Sequence, residues 1–463
     1  MYTFSNRLKI ASFILMAVGA IGIAIGFMSA PSNVAEAKAI VAAQTDGHGD
    51  AHATEDHAIS NEAAEIHDED HASMTDHAVS SDSHASEAHS EDHSAAHDEH
   101  VLHQLQNKPW AALYVAAFFF FMIALGVLAF YAIQRAAQAG WSPLLFRVME
   151  GITAYLVPGG IIVFLILVAS VAHMNHLFVW MDPEVVAHDK LIQGKIGYLN
   201  GPFFLARAAF FLSGWIAYRW YSRKLSLAQD AAEDNTNFVK NFRLSAAFLV
   251  FYLVTESMMS WDWIMSIDPH WFSTLFGWYI FASMFVSGIT VIALVTIYLK
   301  SKGLLEQVND SHIHDLAKFM FGISVFWTYL WFSQFMLIWY ANIPEETVYF
   351  QPRAHGIYKG IFWLMFIINF IAPLLILMTR SAKRNYGTIT FMALLIIFGH
   401  WLDFYQMVFP AVSPNKVPNI IYDLGVAVGF VGLIMYMTGR ALAKAPLLAR
   451  NHPFVKESLI HHT

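Results

Sequence analysis

Apolar runs bounded by charge, Gly or Pro recur at about residues 8–28, 110–132, 152–173, 202–221, 243–265, 273–299, 317–340, 356–379, 388–409 and 420–439. At about 1.5 Å per helical residue, each is long enough to cross a hydrocarbon core about 30 Å thick. The pattern predicts an all-α integral membrane protein of about ten transmembrane helices. Arg7 and Lys9 precede the first run as they would in a signal peptide, but the apolar stretch 10–27 is longer than most signal cores and reads as a retained helix.

Between the first two runs the pattern breaks. Residues 44–107 are rich in Asp, Glu, Ser, Ala and His, with almost no large apolar side chains. Such a stretch buries too little surface to offset its ordering entropy, so it reads as a solvated, largely disordered linker. Its histidines, from His48 to His103, are irregularly spaced; a linker whose charge changes near pH 6.5 is the default reading, with a specific metal site and loose divalent-ion binding as the alternatives.

Polar residues also interrupt the apolar runs, and they do so in register with proline. Helices three, five, seven and nine lead to Pro183, Pro269, Pro344 and Pro410; His173, Met259, Gln334 and His400 stand ten residues before them, and His176, Asp262, Leu337 and Asp403 seven before. Seven residues is roughly 10 Å of helix, and an ionisable side chain at that depth costs on the order of 2.5–3.5 kcal/mol. The pairs His173/His176 and His400/Asp403 each suit one helix face. D-W-I-M-S-I-D-P beside D-F-Y-Q-M-V-F-P suggests a degenerate repeat, helices two to five against six to nine. Prolines also favour helix ends on their own account, which is the competing explanation. The expected layout is a first helix (1–30), a His-rich segment (31–107), two four-helix bundles (108–270 and 271–412), and a last helix with its tail (413–463).

Lys and Arg set the orientation. Arg135, Arg147, Arg223, Lys224, Lys240, Lys300, Arg380, Arg384 and Arg440 lie on one set of loops with both termini, while the opposite set is sparse. The positive-inside rule therefore predicts cytoplasmic termini, a periplasmic His-rich segment and outward-facing marker prolines in a bacterial inner membrane. Arg207 then lies near the depth of Asp262 and Asp403, either of which is a natural partner, and Glu256 lies deeper, near mid-membrane. Asp423 adds a carboxylate near the outer end of helix ten.

Composition narrows the chemistry. The chain is 57% hydrophobic and 13% charged, and its net charge of -8 comes largely from the acidic segment, which offers nothing to nucleic acid. With no cysteine it holds no disulfide, thiolate-bound iron–sulfur cluster or covalent haem c. Glu256, Asp262, His400, Asp403, Arg207 and His173 form a candidate proton-conducting set, and His176 is a candidate quinone contact; no metal site stands out.

The segment 256–279, E-S-M-M-S-W-D-W-I-M-S-I-D-P-H-W-F-S-T-L-F-G-W-Y, together with G-H-W-L-D-F-Y-Q-M-V-F-P at 399–410, resembles the second NrfD-like (polysulfide-reductase-type, ActF-type) membrane subunit of bacterial alternative complex III. The resemblance covers about residues 108–440. It implies a cofactor-free subunit of a respiratory quinol:electron-acceptor oxidoreductase, contributing a proton path, with a quinone as candidate ligand. The expected partners are an iron–sulfur subunit, a second NrfD-like subunit, multihaem and monohaem cytochromes c, small membrane subunits, lipids and a haem-copper oxidase. Two other classes stay open. A proton-coupled secondary transporter would need helices broken near mid-membrane, for which Pro158–Gly160 and Pro373 are the candidates. A b-type cytochrome would need His173 or His176 with His400 as axial ligands.

Overall fold

The computed structural model describes residues 2–46, 85–413 and 420–463, and every regular element among them is helical. The long helices are α1 (Asn6–Met28), α2 (Val101–Ala136, part of a helix that starts at Ala85), α3 (Pro143–Val171), α4 (Gly201–Gln229), α5 (Thr236–Trp263), α6 (Phe276–Ser301), α7 (Asp310–Ala341), α8 (Lys359–Ile376), α9 (Tyr386–Val412) and α10 (Ile420–Leu442). All but α4 are apolar enough to mark a membrane span by composition. α4 is about 43 Å long, but Arg207, Arg219, Arg223 and Lys224 dilute its hydropathy. The chain is an all-α, multi-pass integral membrane protein.

Its contacts divide into two units, residues 1–28 with 107–463, and residues 29–106. In the smaller unit a helix spans Val34–Asp46; Asn33 Oδ1 accepts from Glu36 N (2.9 Å) and Glu36 Oε2 from Ser32 N (2.7 Å), satisfying backbone donors at its start. Within the expected His-rich segment (31–107) the chain is thus helical there and from Ala85 onward. Ala and Glu favour helix, and continuation from an apolar span spares the acidic stretch the cost of nucleation. Residues 47–84, with the histidines from His48 to His84, lie outside the described residues.

In the larger unit α2 is the central post. Its backbone meets α6 so closely that a Cβ on Gly126 would lie 2.3 Å from Met284 O. Around it Phe118, Phe121, Trp215 and Trp263 pack edge-to-face or tilted at 6.0–6.4 Å. α4 packs on α5 and α3, while α6, α7, α8 and α9 pack against one another. α1 lies against α10, where Gly19 and Gly429 bring the two backbones together. Large apolar side chains such as Ile14, Ile21, Val250, Phe210 and Leu394 stay exposed on the outer faces, as lipid contact requires.

Three details of the expected repeat change. α3 ends at Val171, with His173 in the left-handed region (φ 55°) and Met174 N bonded to Ala169 O, a Schellman-type stop. Pro183 and Pro344 do not end long helices but open short ones, Pro183–His188 and Pro344–Thr347. Pro410 sits inside α9, which runs on to Val412. The common offset from proline therefore does not mark a common position within the helices. α3 and α8 are interrupted as well, by a 3-10 turn at Thr153–Tyr155 and a π turn at Ile367–Ile371. The second precedes Pro373, whose missing N–H frees a carbonyl of the preceding turn.

Candidate functional site

Asp403 is a carboxylate fully engaged in the core. It and His400 lie on one face of α9, both fully buried, with Nδ1 of the imidazole 3.5 Å from Oδ2. α6 supplies Tyr279, whose hydroxyl donates to Asp403 Oδ1, and Ser283, whose hydroxyl lies 2.9 Å from both Asp403 Oδ2 and His400 Nδ1. Trp327 of α7 donates its indole N–H to Oδ2 at 2.9 Å and packs edge-on against the imidazole. Tyr279, Ser283 and His400 can each both accept and donate a proton, whereas Trp327 only donates. His400 Nε2 is buried without a hydrogen-bond partner.

Arg207 and Asp262 form the second cluster. Nε of Arg207 reaches Asp262 Oδ2 at 2.6 Å, and Nη1 donates to Tyr198 O at 3.0 Å. The guanidinium lies 3.9 Å from the Tyr198 ring centre and 4.3 Å from that of Phe203. Of the two partners the sequence allowed, the structure selects Asp262. The clusters share a height on α2, because Phe118 touches both Trp263 and Phe404, the residues after Asp262 and Asp403. Glu256 stands alone on α5, buried, with Oε1 unpartnered.

The expected single cluster thus resolves into two, with Glu256 between turns of its own helix and His173 outside. His173 is exposed in the turn after α3 and shares no helical face with His176. His176 is held through its backbone: its N–H donates to Asn107 Oδ1 (2.8 Å) and its C=O accepts from Asn107 Nδ2 (3.0 Å). These positions do not fit the axial pair of a b-type cytochrome, and His400 is already enclosed by Ser283 and Trp327. Asp423 of α10 accepts from the Tyr405 hydroxyl at 2.9 Å.

Two polar features escaped the sequence reading. One is a charged network at the far end of α4: Arg147 pairs with Glu150 (2.7 Å) and Asp230 (2.6 Å), Tyr131 donates to Glu150 (2.9 Å), and Arg135 and Arg147 both donate to Ser226. Arg147 and Glu150 at i, i+3 were the available signal, but Arg147 reads in sequence as a loop charge.

The other is a seam between α4 and α5. From the charged network it runs through Ser222 with Asn241 (2.7 Å), Tyr218 with Ser245 (2.8 Å) and Trp215 with Thr255 (3.0 Å) to Arg207 with Asp262. All eight side chains are buried. Along α4 the seam covers the rise from residue 207 to 222, about 22 Å, roughly three quarters of a bilayer core about 30 Å thick. Among the described residues no group of three or more His, Asp or Glu side chains is arranged to hold a metal ion. Comparison with protein-family models and with curated proteins finds no match to this chain.

Proposed function

We propose that the chain is a cofactor-free membrane subunit of a respiratory quinol:electron-acceptor oxidoreductase of the alternative complex III type, and that it moves protons rather than electrons. The observation that carries this reading is the buried seam on α4 and α5, which strings polar pairs across about 22 Å of the membrane-spanning bundle and ends at Arg207 and Asp262. Its gaps, near Phe248 and Tyr252 and between Thr255 and Asp262, are where Glu256 and internal water would carry the proton. The Asp403–His400 cluster supplies a second set of groups at the same height. The sequence resemblance supplies the class of complex, and with it the iron–sulfur, second NrfD-like and cytochrome c partners that hold the electron carriers. In this reading the subunit sits in the bacterial inner membrane with cytoplasmic termini, and Asp262 and Asp403 lie near the periplasmic face. It is not catalytic by itself.

Proton release per electron in vesicles reconstituted with the complete complex tests the proposal. Asp262→Asn and Asp403→Asn are expected to lower the stoichiometry or the turnover; normal values for both variants would refute the path. A proton-coupled transporter is the second reading, and the interrupted helices α3 and α8 favour it. Solute uptake driven by a pH gradient, with the chain reconstituted alone, would establish that alternative.

A further inference from the structure

Arg219 lies on the face of α4 that meets α3. Leu212, seven residues earlier, stands opposite Gly160, where a Cβ would lie 3.0 Å from Leu212 Cδ2. Arg223, four residues later, donates from Nη1 to Glu150 O at 3.0 Å and from Nη2 to Ala441 O at 3.2 Å. Residues at these spacings share one side of a helix. Arg219 therefore faces the crevice between α3, α4 and the end of α10, near the level of the 3-10 turn Thr153–Tyr155.

Arg207 has Asp262, but among the described residues Arg219 makes no hydrogen bond or ion pair. Its Nε is enclosed and unpartnered, while its terminal nitrogens are unpartnered and not fully enclosed. The charges that act on it are Arg223, which repels it, and Glu150, which attracts it but is already paired with Arg147 at 2.7 Å and lies 3.6 Å from Arg135. In the network around Glu150, four arginines (135, 147, 219 and 223) meet two carboxylates, Glu150 and Asp230, and positive charge is left over.

The surroundings say where the missing anion comes from. From the start of α4 at Gly201 to Arg219 is about 27 Å of helix, against a hydrocarbon core about 30 Å thick. Trp220 and Tyr221 come next, exposed (53% and 52%) and packed edge to face at 4.7 Å, with Lys224 Nζ 5.2 Å from the Trp220 ring centre. Exposed Trp and Tyr beside cations at that distance mark the level of lipid headgroups. A guanidinium with two free terminal nitrogens matches the paired oxygens of a phosphate. Water hydrates those nitrogens but leaves the excess charge. Exposed Ile161 and Leu165 of α3 continue from the same level into the span, an apolar track that acyl chains can follow and a free phosphate does not need.

We propose that this crevice binds the headgroup of an anionic phospholipid, its phosphate accepting from the terminal nitrogens of Arg219. Arg223, whose own terminal nitrogens are taken by backbone carbonyls, adds positive potential and holds α3 and α10 in place around the site. The inference does not rest on the proposed function.

Native mass spectrometry of the full-length protein, extracted from membranes in mild detergent, tests the site. The protein as extracted is expected to carry an anionic phospholipid. After delipidation, dioleoyl phosphatidylglycerol should rebind about tenfold more tightly than dioleoyl phosphatidylcholine. Arg219→Gln should remove that preference, whereas Lys302→Gln, which deletes an exposed charge just after α6, should keep it. Arg219→Lys, which keeps the charge and loses the planar fork, should retain part of it. Melting temperatures without lipid show that the variants compared are folded. Equal binding of the two lipids, or equal loss in Arg219→Gln and Lys302→Gln, overturns the proposal. So does stabilisation by inorganic phosphate that matches phosphatidylglycerol, which would make the ligand a soluble anion. Extraction of protein free of anionic lipid overturns it as well and would assign Arg219 to an acidic side chain of a protein partner.

Discussion

Arg207 is the residue on which the α4–α5 interface turns. Its charge is buried, and Asp262, 2.6 Å away, is the carboxylate paired with it. Removing one member of such a pair strands the other in a low-dielectric setting, at a cost on the order of 3–5 kcal/mol, while removing both costs much less. Arg207→Ala is therefore expected to destabilise the protein more than the double variant Arg207→Ala/Asp262→Ala. Thermal unfolding in detergent of the four members of the cycle measures the coupling, and additive effects would show that the pair is not a unit. The sequence made this pair legible because both members are charged inside apolar runs. It could not reveal Tyr279, Ser283 or Trp327 as the partners of Asp403, since each looks like ordinary helix–helix packing until α6, α7 and α9 are brought together. His173 failed for the opposite reason: the apolar run reaches it, but the helix is stopped before it by local backbone geometry, and His176 beyond is held by Asn107, distant in sequence.

At the scale of elements, the boundary of α3 moved because the last turn was closed by backbone bonds, whereas the pairing of α1 with α10 is written in glycines. A Cβ at Gly19 would lie 2.3 Å from Gly429 Cα, and one at Gly429 2.7 Å from Gly19 Cα. Neither can gain a side chain without separating the helices. Gly22 differs, since the nearest atoms to a Cβ there lie at 3.7 Å, an ordinary contact. Gly19→Leu or Gly429→Leu should cost about 1–3 kcal/mol through overpacking, while Gly22→Ala should be close to neutral. Melting temperatures of the three variants check this, and equal loss in all three would mean that close approach is not what joins α1 to α10. The interruptions of α3 and α8 were only half legible: Pro158 and Pro373 announced them, but the 3-10 and π turns that absorb the strain depend on packing.

For the whole molecule, the arrangement of charge makes a claim about sidedness. The two polar ends of the α4–α5 seam are chemically unlike: Arg207 with Asp262 at one, and Arg135, Arg147, Glu150 and Asp230 at the other. The excess of Lys and Arg lies with the second end, on the side where α6 finishes at Lys300 and Ser301. On the proposed function, the positive-inside rule would put that end in the cytoplasm and make the Asp262 end the expected site of proton release. Because the chain has no cysteine, single cysteines can report on this directly at two exposed positions flanking α7, Ser301 before it and Glu345 after it. A membrane-impermeant maleimide added to intact spheroplasts is expected to label Glu345→Cys but to reach Ser301→Cys only after permeabilisation. The reverse pattern would turn the seam over and make Asp262 the point of proton entry from the cytoplasm. Labelling of both from outside would contradict α7 as a membrane span, and with it the enclosure of Asp403 by α6, α7 and α9.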